Sequence, residues 1–249
     1  MSHILLTGGS GKLGKQIRKV MPESCAPTHQ QLDITDSESV DCFIKKLNVD
    51  TIFHCAAMTN VKLCEENHKQ AYHTNVIGTG NLCRSLSKHH QDAYFIYVST
   101  ACVFRGDDLD KYYSEDDIPY PKNFYGLTKM LGEIVVQESS LRTLIVRTNF
   151  IEQGNWPYPK AFMDRYATYL YSYQVAEAIV KLHREKQMGV IHVCGDTRKS
   201  MFEFAQLSDP NVQPLTLDEY YSSPFNPPLT RNMCLSSVKM KPIKLSINK

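Results

Sequence analysis

The feature that constrains this chain most is a glycine-rich turn directly after its first apolar segment. Residues 3–7 form an apolar run typical of a β-strand, residues 12–21 have helical periodicity, and the turn between them carries Gly8, Gly11 and Gly14. Bare backbone at such a junction lets a pyrophosphate approach the unpaired N–H groups at the helix N-terminus. The position of the turn after the first strand predicts a dinucleotide site rather than an ordinary turn.

The first 150 residues alternate short apolar runs with amphipathic stretches, which predicts an α/β fold. Further strands are predicted at residues 24–28, 50–56, 94–99 and 143–148, and helices at 37–47, 68–89 and 125–139, the second of these interrupted at 77–80. Strand–helix alternation with connections of this length indicates a parallel sheet with crossover helices. We therefore expect a Rossmann-type, doubly wound parallel sheet over residues 1–150.

The texture of the sequence changes after Phe150, where proline, serine and asparagine become more frequent. We expect residues 151–249 to build a small substrate-binding lobe, with 206–235 irregular. A helix at 174–185 and a strand at 188–194 are predicted to return to the main domain.

Composition narrows the function classes. The net charge of +2 without clustered lysine and arginine argues against a nucleic-acid partner, and no apolar stretch approaches the ~20 residues of a membrane span. The N-terminus does not resemble a signal peptide, and the eight cysteines lack C-x-x-C pairs or zinc spacing. We expect a cytoplasmic protein with reduced thiols and no metal.

Tyr125 and Lys129 form the most informative pair in the sequence. Residues four apart on a helix share one face, and an ammonium next to a phenol favours the phenolate and lowers its pKa. Such a phenol can exchange a proton with a carbonyl oxygen, while the lysine can also hold the ribose of a nicotinamide nucleotide. The preceding strand ends in Ser99 and Thr100, where ligands bind in open α/β sheets.

Together, the turn and the Tyr-x-x-x-Lys pair resemble the extended short-chain dehydrogenase/reductase family, whose turns follow T-G-x-x-G-x-x-G and bind NAD or NADP. The resemblance implies that Thr100 hydrogen-bonds the substrate carbonyl, with Ser99 as the alternative, beside catalytic Tyr125 and Lys129. The implied cofactor-binding residues are Gly8, Ser10, Gly11, Lys12, Leu13, Gly14, Asp33, Ile34, Ala56, Ala57, Lys129 and Arg147. Asp33 could equally cap a turn, and Arg147 could equally form a structural ion pair.

The choice between the two cofactors depends on the end of the second predicted strand. An acidic residue there would bind the ribose hydroxyls of NAD and repel the 2′-phosphate of NADP. Residues 26–30 contain no acid, and Lys12 could reach a 2′-phosphate, so NADP(H) is favoured while NAD(H) stays open.

Residues 97–133 narrow the resemblance to dTDP-4-dehydrorhamnose reductases and their relatives. The motifs are Val98-Ser99-Thr100, Val103-Phe104, Tyr113, Glu115, Asp117, Asn123, Tyr125 to Lys129 and Gly132-Glu133. The resemblance implies NADP(H)-dependent reduction of the 4-keto group of a nucleotide-linked 4-keto-6-deoxyhexose. It leaves the nucleotide open, and a homodimer is one alternative for the oligomeric state.

Two departures from that pattern leave alternatives open. Ala101 and Cys102 replace the usual Asp-Tyr, and a cysteine there resembles bifunctional epimerase–reductases, in which it serves as an acid/base at sugar C3 and C5; a packing role is the alternative. The segment after Phe150 is also short. The chain therefore also resembles the non-catalytic β subunit of methionine adenosyltransferase, although the intact Thr100, Tyr125 and Lys129 favour the enzyme. An epimerase or dehydratase that retains NAD is disfavoured by the missing acid.

Overall fold

The computed structural model describes residues 3–154 and 156–246, and its core is a five-stranded parallel sheet. The strands are β1 His3–Thr7, β2 Val49–His54, β3 Tyr94–Thr100, β4 Arg142–Thr148, β5 Phe150–Ile151, β6 Lys160–Phe162, β7 Tyr166–Ala167, β8 Leu170–Tyr171, β9 Gly189–Val193, β10 Lys199–Ser200, β11 Gln213–Leu215 and β12 Asn232–Met233. The large sheet has the order β1-β2-β3-β4-β9, and all four pairings are parallel.

Helices cover both faces of this sheet. They are α1 Lys12–Val20, α2 Ser37–Lys46, α3 Val61–Glu66, α4 His68–Tyr72, α5 Gly78–His89, α6 Phe124–Gln137, α7 Ser172–Arg184, α8 Met201–Ala205 and α9 Leu217–Tyr221. Along β1, Leu6 packs with α1 and α7, whereas Leu5 packs with α2, α5 and α6. Successive side chains point to opposite faces, so a strand apolar on both sides is buried in two layers. The predicted α/β fold is confirmed.

The strand predicted at residues 24–28 is wrong. Cys25 alone forms a parallel bridge, to Leu5 at the edge of the sheet, with backbone hydrogen bonds to Ile4 and Leu6. Pro27 follows two residues later and has no N–H to continue the ladder.

The helical segment 68–89 is not interrupted at 77–80. A π-helical turn, His73–Ile77, connects α4 directly to α5, which begins at Gly78. A Cβ on Gly78 would lie 2.8 Å from Ile34, so this glycine serves close packing rather than a helix break.

Residues after β4 both complete the central sheet and form smaller ones. α7 packs beside α1, and β9 pairs with β4. Residues 206–235 contain β11, α9 and β12, so this stretch is less irregular than predicted. The assignment of residues 151–249 to a substrate-binding lobe stays a prediction. Across residues 3–154 and 156–246, no helix has both the length and the apolar character needed to cross a bilayer.

Candidate active site

A cleft of two adjoining compartments opens at the carboxyl ends of β1 to β4. The first has a volume of about 390 Å³ and is lined by Gly8, Gly11, Lys12, Leu13, Gly14, Cys55, Ala57, Thr59, Val98, Ser99, Thr100, Tyr125, Lys129, Thr148, Asn149 and Phe150. The second, about 310 Å³, is lined by Thr7, Gly8, Ser10, Gly11, Pro27, His29, Leu32, Asp33, Ile34, Thr35, Cys55, Ala56, Ala57 and Thr74. Because Gly8 and Gly11 line both, the glycine turn forms the junction between the compartments.

The glycine turn has a backbone that larger residues would disturb. Gly8 has φ +72°, and a Cβ there would lie 2.6 Å from the Ala56 nitrogen. A Cβ on Gly14, inside α1, would lie 2.2 Å from the Gly8 carbonyl oxygen. Gly11 precedes α1 and provides no side-chain cap, so the first N–H groups of the helix face the cleft without a capping partner from that residue. This is the geometry that an anionic group requires.

In the second compartment, Asp33 is the carboxylate at the surface of the cleft. It accepts hydrogen bonds from the backbone N–H and the hydroxyl of Thr35, at 2.9 and 2.8 Å. These bonds, the backbone one foremost, hold the pKa of Asp33 below its usual value, so it stays ionised. Asp33 therefore both caps a turn and lines the cleft, and the two sequence interpretations coexist.

In the first compartment, the wall is the N-terminal half of α6. Asn123 caps this helix by accepting the Gly126 N–H at 2.8 Å. A Cβ on Gly126 would lie 2.1 Å from the Cys102 carbonyl oxygen, so glycine lets α6 approach the end of β3. This contact brings Tyr125 and Lys129 to the same compartment as Thr100.

The electrostatics of this wall differ from the expectation. Burial raises the pKa of Tyr125; the nearby Cys102 adds to this, and a hydrogen bond with the Thr100 hydroxyl opposes it. Burial lowers the pKa of Lys129 to about 7, against the opposing effects of Glu133 and Cys55. Burial therefore outweighs any acidifying effect of Lys129 on the Tyr125 phenol. The phenol keeps its proton at physiological pH. Lys129, with its pKa near the physiological pH, is about half protonated there.

Arg147 does not line the cleft. Its guanidinium forms a buried ion pair with Glu133, at 2.7 Å between Nη2 and Oε2, and its Nε donates to both carboxylate oxygens. The side chain packs behind α6, with its charge centre 5.2 Å from the ring of Phe104. This position corresponds to the structural alternative, and we leave Arg147 out of the proposed cofactor site.

Cys102 does not line the cleft either. Its thiol lies in an apolar cluster, with Sγ 3.7 Å from the Met233 sulfur, and only 7% of the residue is exposed. The structure thus places it where the packing alternative requires.

Lys12, the first residue of α1, lines the first compartment rather than the second, which contains Asp33. Its contact with a 2′-phosphate stays a prediction. His29, whose Nε2 lies 3.9 Å from Asp33, is the basic side chain that lines the second compartment.

Sequence reasoning missed several lining residues, including Thr148, Asn149 and Phe150 at the end of β4. The rule that ligands bind beyond the carboxyl ends of parallel strands would have found them. A third compartment, about 550 Å³, adjoins the first through Lys12 and Phe150. Trp156, Tyr158 and Met201 line it, and the two aromatic rings make an edge contact with centroids 5.7 Å apart.

Comparisons with known proteins identify relatives of this chain. A dTDP-4-dehydrorhamnose reductase of Mycolicibacterium smegmatis is 34% identical over 156 residues, 61% of this chain and 46% of the relative. Methionine adenosyltransferase 2 subunit beta of Rattus norvegicus is 33% identical over 156 residues, 58% of this chain and 46% of the relative. The matched region thus spans about half the length of these two curated relatives.

A solved structure and a family profile extend the likeness. The crystal structure of a dTDP-4-dehydrorhamnose reductase from Bacillus anthracis in complex with NADP has a TM-score of 0.84 and 27% identity, covering 95% of this chain and 91% of that chain. The family described as RmlD substrate binding domain matches residues 1–165, about two thirds of the sequence. The resemblance to this branch of the short-chain dehydrogenases/reductases is confirmed: the chain belongs to the RmlD substrate binding domain family.

Proposed function

We propose that this protein reduces the 4-keto group of a nucleotide-linked 4-keto-6-deoxyhexose with NADP(H). The observation that carries the proposal is the meeting of Thr100, Tyr125 and Lys129 in one compartment with the glycine turn. Relatives named as dTDP-4-dehydrorhamnose reductases support the substrate class, and the NADP in the Bacillus anthracis structure supports the cofactor. A cytoplasmic location belongs to the same proposal, consistent with eight unpaired cysteines.

The cleft fits a dinucleotide. The pyrophosphate would lie on the N-terminus of α1, where a Cβ at Gly8 or Gly14 would fill the space that the turn leaves open. The adenosine half would lie beside Asp33 and Ile34, with Ser10, Ala56 and Ala57. The nicotinamide half would lie in the first compartment, where bound dihydronicotinamide supplies a hydride to the substrate carbon.

Within that compartment, Tyr125 is the proton donor. Its raised pKa keeps the phenol protonated, so its proton can pass to the ketone oxygen as the carbonyl carbon is reduced. The Thr100 hydroxyl lines the same compartment as Tyr125 and would hold that oxygen in place by a hydrogen bond. When protonated, Lys129 provides the positive charge that stabilises the resulting phenolate.

The substrate would approach from the third compartment. Lys12 stands between the first and third compartments and supplies a cation for the diphosphate of a nucleotide sugar. Trp156 and Tyr158 offer apolar faces to the rest of that molecule.

The experiment is to incubate the protein with NADPH or NADH and a panel of dTDP-, UDP- and GDP-linked 4-keto-6-deoxyhexoses, and to follow the loss of dihydronicotinamide absorbance. We expect consumption with at least one sugar and a preference for NADPH. Absence of consumption with every sugar would contradict the proposal.

A second candidate is a non-catalytic, dinucleotide-binding regulatory subunit. The match to methionine adenosyltransferase 2 subunit beta, almost as high as the match to the reductase, favours it. This candidate predicts NADPH binding in a fluorescence titration without turnover of any sugar in the panel. It also predicts co-purification with a catalytic partner, whereas the reductase proposal requires none.

Epimerase activity at C3 and C5 is tested separately. The burial of Cys102 beside Met233 argues against it. Incorporation of solvent deuterium at sugar C3 or C5 by wild type, but not by C102A, would establish the epimerase activity. If neither protein incorporates deuterium and both reduce the keto sugar at the same rate, Cys102 has the packing role.

A further inference from the structure

A buried polar network lies directly behind the first compartment. Glu133 is 2% exposed and Arg147 is 4% exposed, and they pair through three hydrogen bonds. Two charges are costly to bury, and a buried ion pair is often no more stabilising than apolar residues of similar volume. Stability alone therefore does not explain why this pair is buried next to the cleft.

Ser99 connects the pair to the cleft. Ser99 lines the first compartment, and its hydroxyl donates to Glu133 Oε1 at 2.5 Å. A serine hydroxyl has one proton, so its oxygen can only accept hydrogen bonds from the cleft while that bond persists. The hydrogen bond to Glu133 thus leaves Ser99 Oγ as an acceptor, and not a donor, toward a ligand in the cleft.

Lys129 is the second link between the pair and the cleft. It lies one helical turn before Glu133 on α6, is 3% exposed, and places Nζ 3.9 Å from the centre of the Tyr97 ring. The other titratable groups around it are His54 and Cys55 from β2 and the loop after it, and Tyr125 on its own helix. His54 is neutral, since burial lowers its pKa to about 3. Glu133, one helical turn further along α6, is therefore the negative charge that favours the protonated form of the lysine.

We propose that Glu133, held by Arg147, is a positioning residue that fixes Ser99 as a hydrogen-bond acceptor and supplies the negative charge that keeps Lys129 protonated. This inference deepens the proposed reductase function and rests on it for its biological meaning.

The test follows the charge of Lys129 in the full chain without cofactor. In protein labelled with ¹³C at the lysine side chains, the Lys129 resonance is identified by its absence from K129M, and its pH midpoint is measured. We expect a midpoint near 7 in wild type and, in E133Q/R147M, a midpoint lower by about one pH unit. The double variant leaves neither Glu133 nor Arg147 without its ion-pair partner, so it is better able to fold than either single variant.

Two controls separate charge from packing. D41N/K88M removes an ion pair between α2 and α5, away from the cleft, and should titrate like wild type. E133D retains the carboxylate and should also stay near the wild-type midpoint. An unchanged midpoint in E133Q/R147M, or an equal drop in E133D, would overturn the inference. Because no turnover is needed, a failure of the reductase proposal would appear only in the NADPH assay.

Discussion

The floor and the rim of the cleft are built in opposite ways. On the floor, Gly14 and Lys129 are buried within α1 and α6, and Tyr125 is held by the contact of α6 with the end of β3. On the rim, the segment between β5 and β6 contains no helix in its described residues, and Tyr158 is 61% exposed. The core thus fixes the groups that we propose to react, whereas we expect the irregular rim to vary in sequence with little effect on folding.

The largest effect that would distinguish floor from rim is expected for Y125F. Loss of the phenolic proton should lower kcat by about 10²- to 10⁴-fold, because positioned proton transfer contributes that much. NADPH affinity, measured by fluorescence titration, should not change. Y112F alters an exposed tyrosine and serves as the control. A kcat for Y125F within a few-fold of wild type would break the assignment of the floor as the reacting surface.

The second effect concerns the glycine turn, the part of the floor that would bind the cofactor without taking part in proton transfer. In G14A the new Cβ would lie 2.2 Å from the Gly8 carbonyl oxygen, so the glycine turn must move away from α1. We expect NADPH binding weaker by at least about tenfold, equivalent to ~1.4 kcal/mol. The matched control is G80A in α5, whose Cβ would meet nothing closer than 3.4 Å. Equal NADPH affinities for the two variants would contradict the proposed phosphate site.

A smaller effect should reveal the burial of Lys129 through the pH dependence of stability. Its pKa is about 7 in the folded protein and 10.5 as the ordinary value. Between these pH values the unfolded chain binds more protons, so the free energy of unfolding should rise with pH. The contribution of Lys129 to this rise is at most about 1.4 kcal/mol per pH unit. It is best measured between pH 7 and about 8.5. At higher pH the buried thiols, whose pKa values are raised, make the free energy of unfolding fall with pH.

Urea unfolding across that pH range, for wild type and K129M, measures this contribution. The slope of the unfolding free energy against pH should be lower in K129M. K181M removes an exposed lysine from α7 and should keep the wild-type slope. Identical slopes in all three proteins would show that Lys129 is solvated and that the floor is less closed than described.

The contrast between floor and rim also explains what the sequence could predict. β1, the turn and α1 are encoded by local patterns, as is the shared face of Tyr125 and Lys129, and these were found. Cys25 reaches the sheet through a single bridge, and Gly78 is needed to accommodate Ile34 from a distant loop. Such tertiary contacts have no local signature, so a false strand and a false helix break were predicted.

The same limit applies to the site residues. Residue type and spacing predicted that Arg147 and Cys102 lie at the ends of strands near the cleft. They did not predict the direction in which the two side chains point. Arg147 turns away because Glu133 on α6 offers a buried carboxylate, and Cys102 packs on Met233, 131 residues later in the chain. Lys12 was placed in the glycine turn, but its spacing in the sequence does not show which compartment it lines.

The smallest effect is expected at the rim. Trp156 is partly buried, its indole N–H donates to the Lys160 carbonyl oxygen at 3.2 Å, and its ring edge meets Tyr158. If this segment binds the nucleotide sugar, W156A should raise KM by about two- to tenfold, the equivalent of one aromatic contact, without changing kcat or NADPH affinity. F225A removes an aromatic side chain that is 85% exposed, and should leave KM unchanged. A loss of kcat in W156A would mean that rim and floor act together, since a residue that contributes only substrate affinity leaves the chemical step intact.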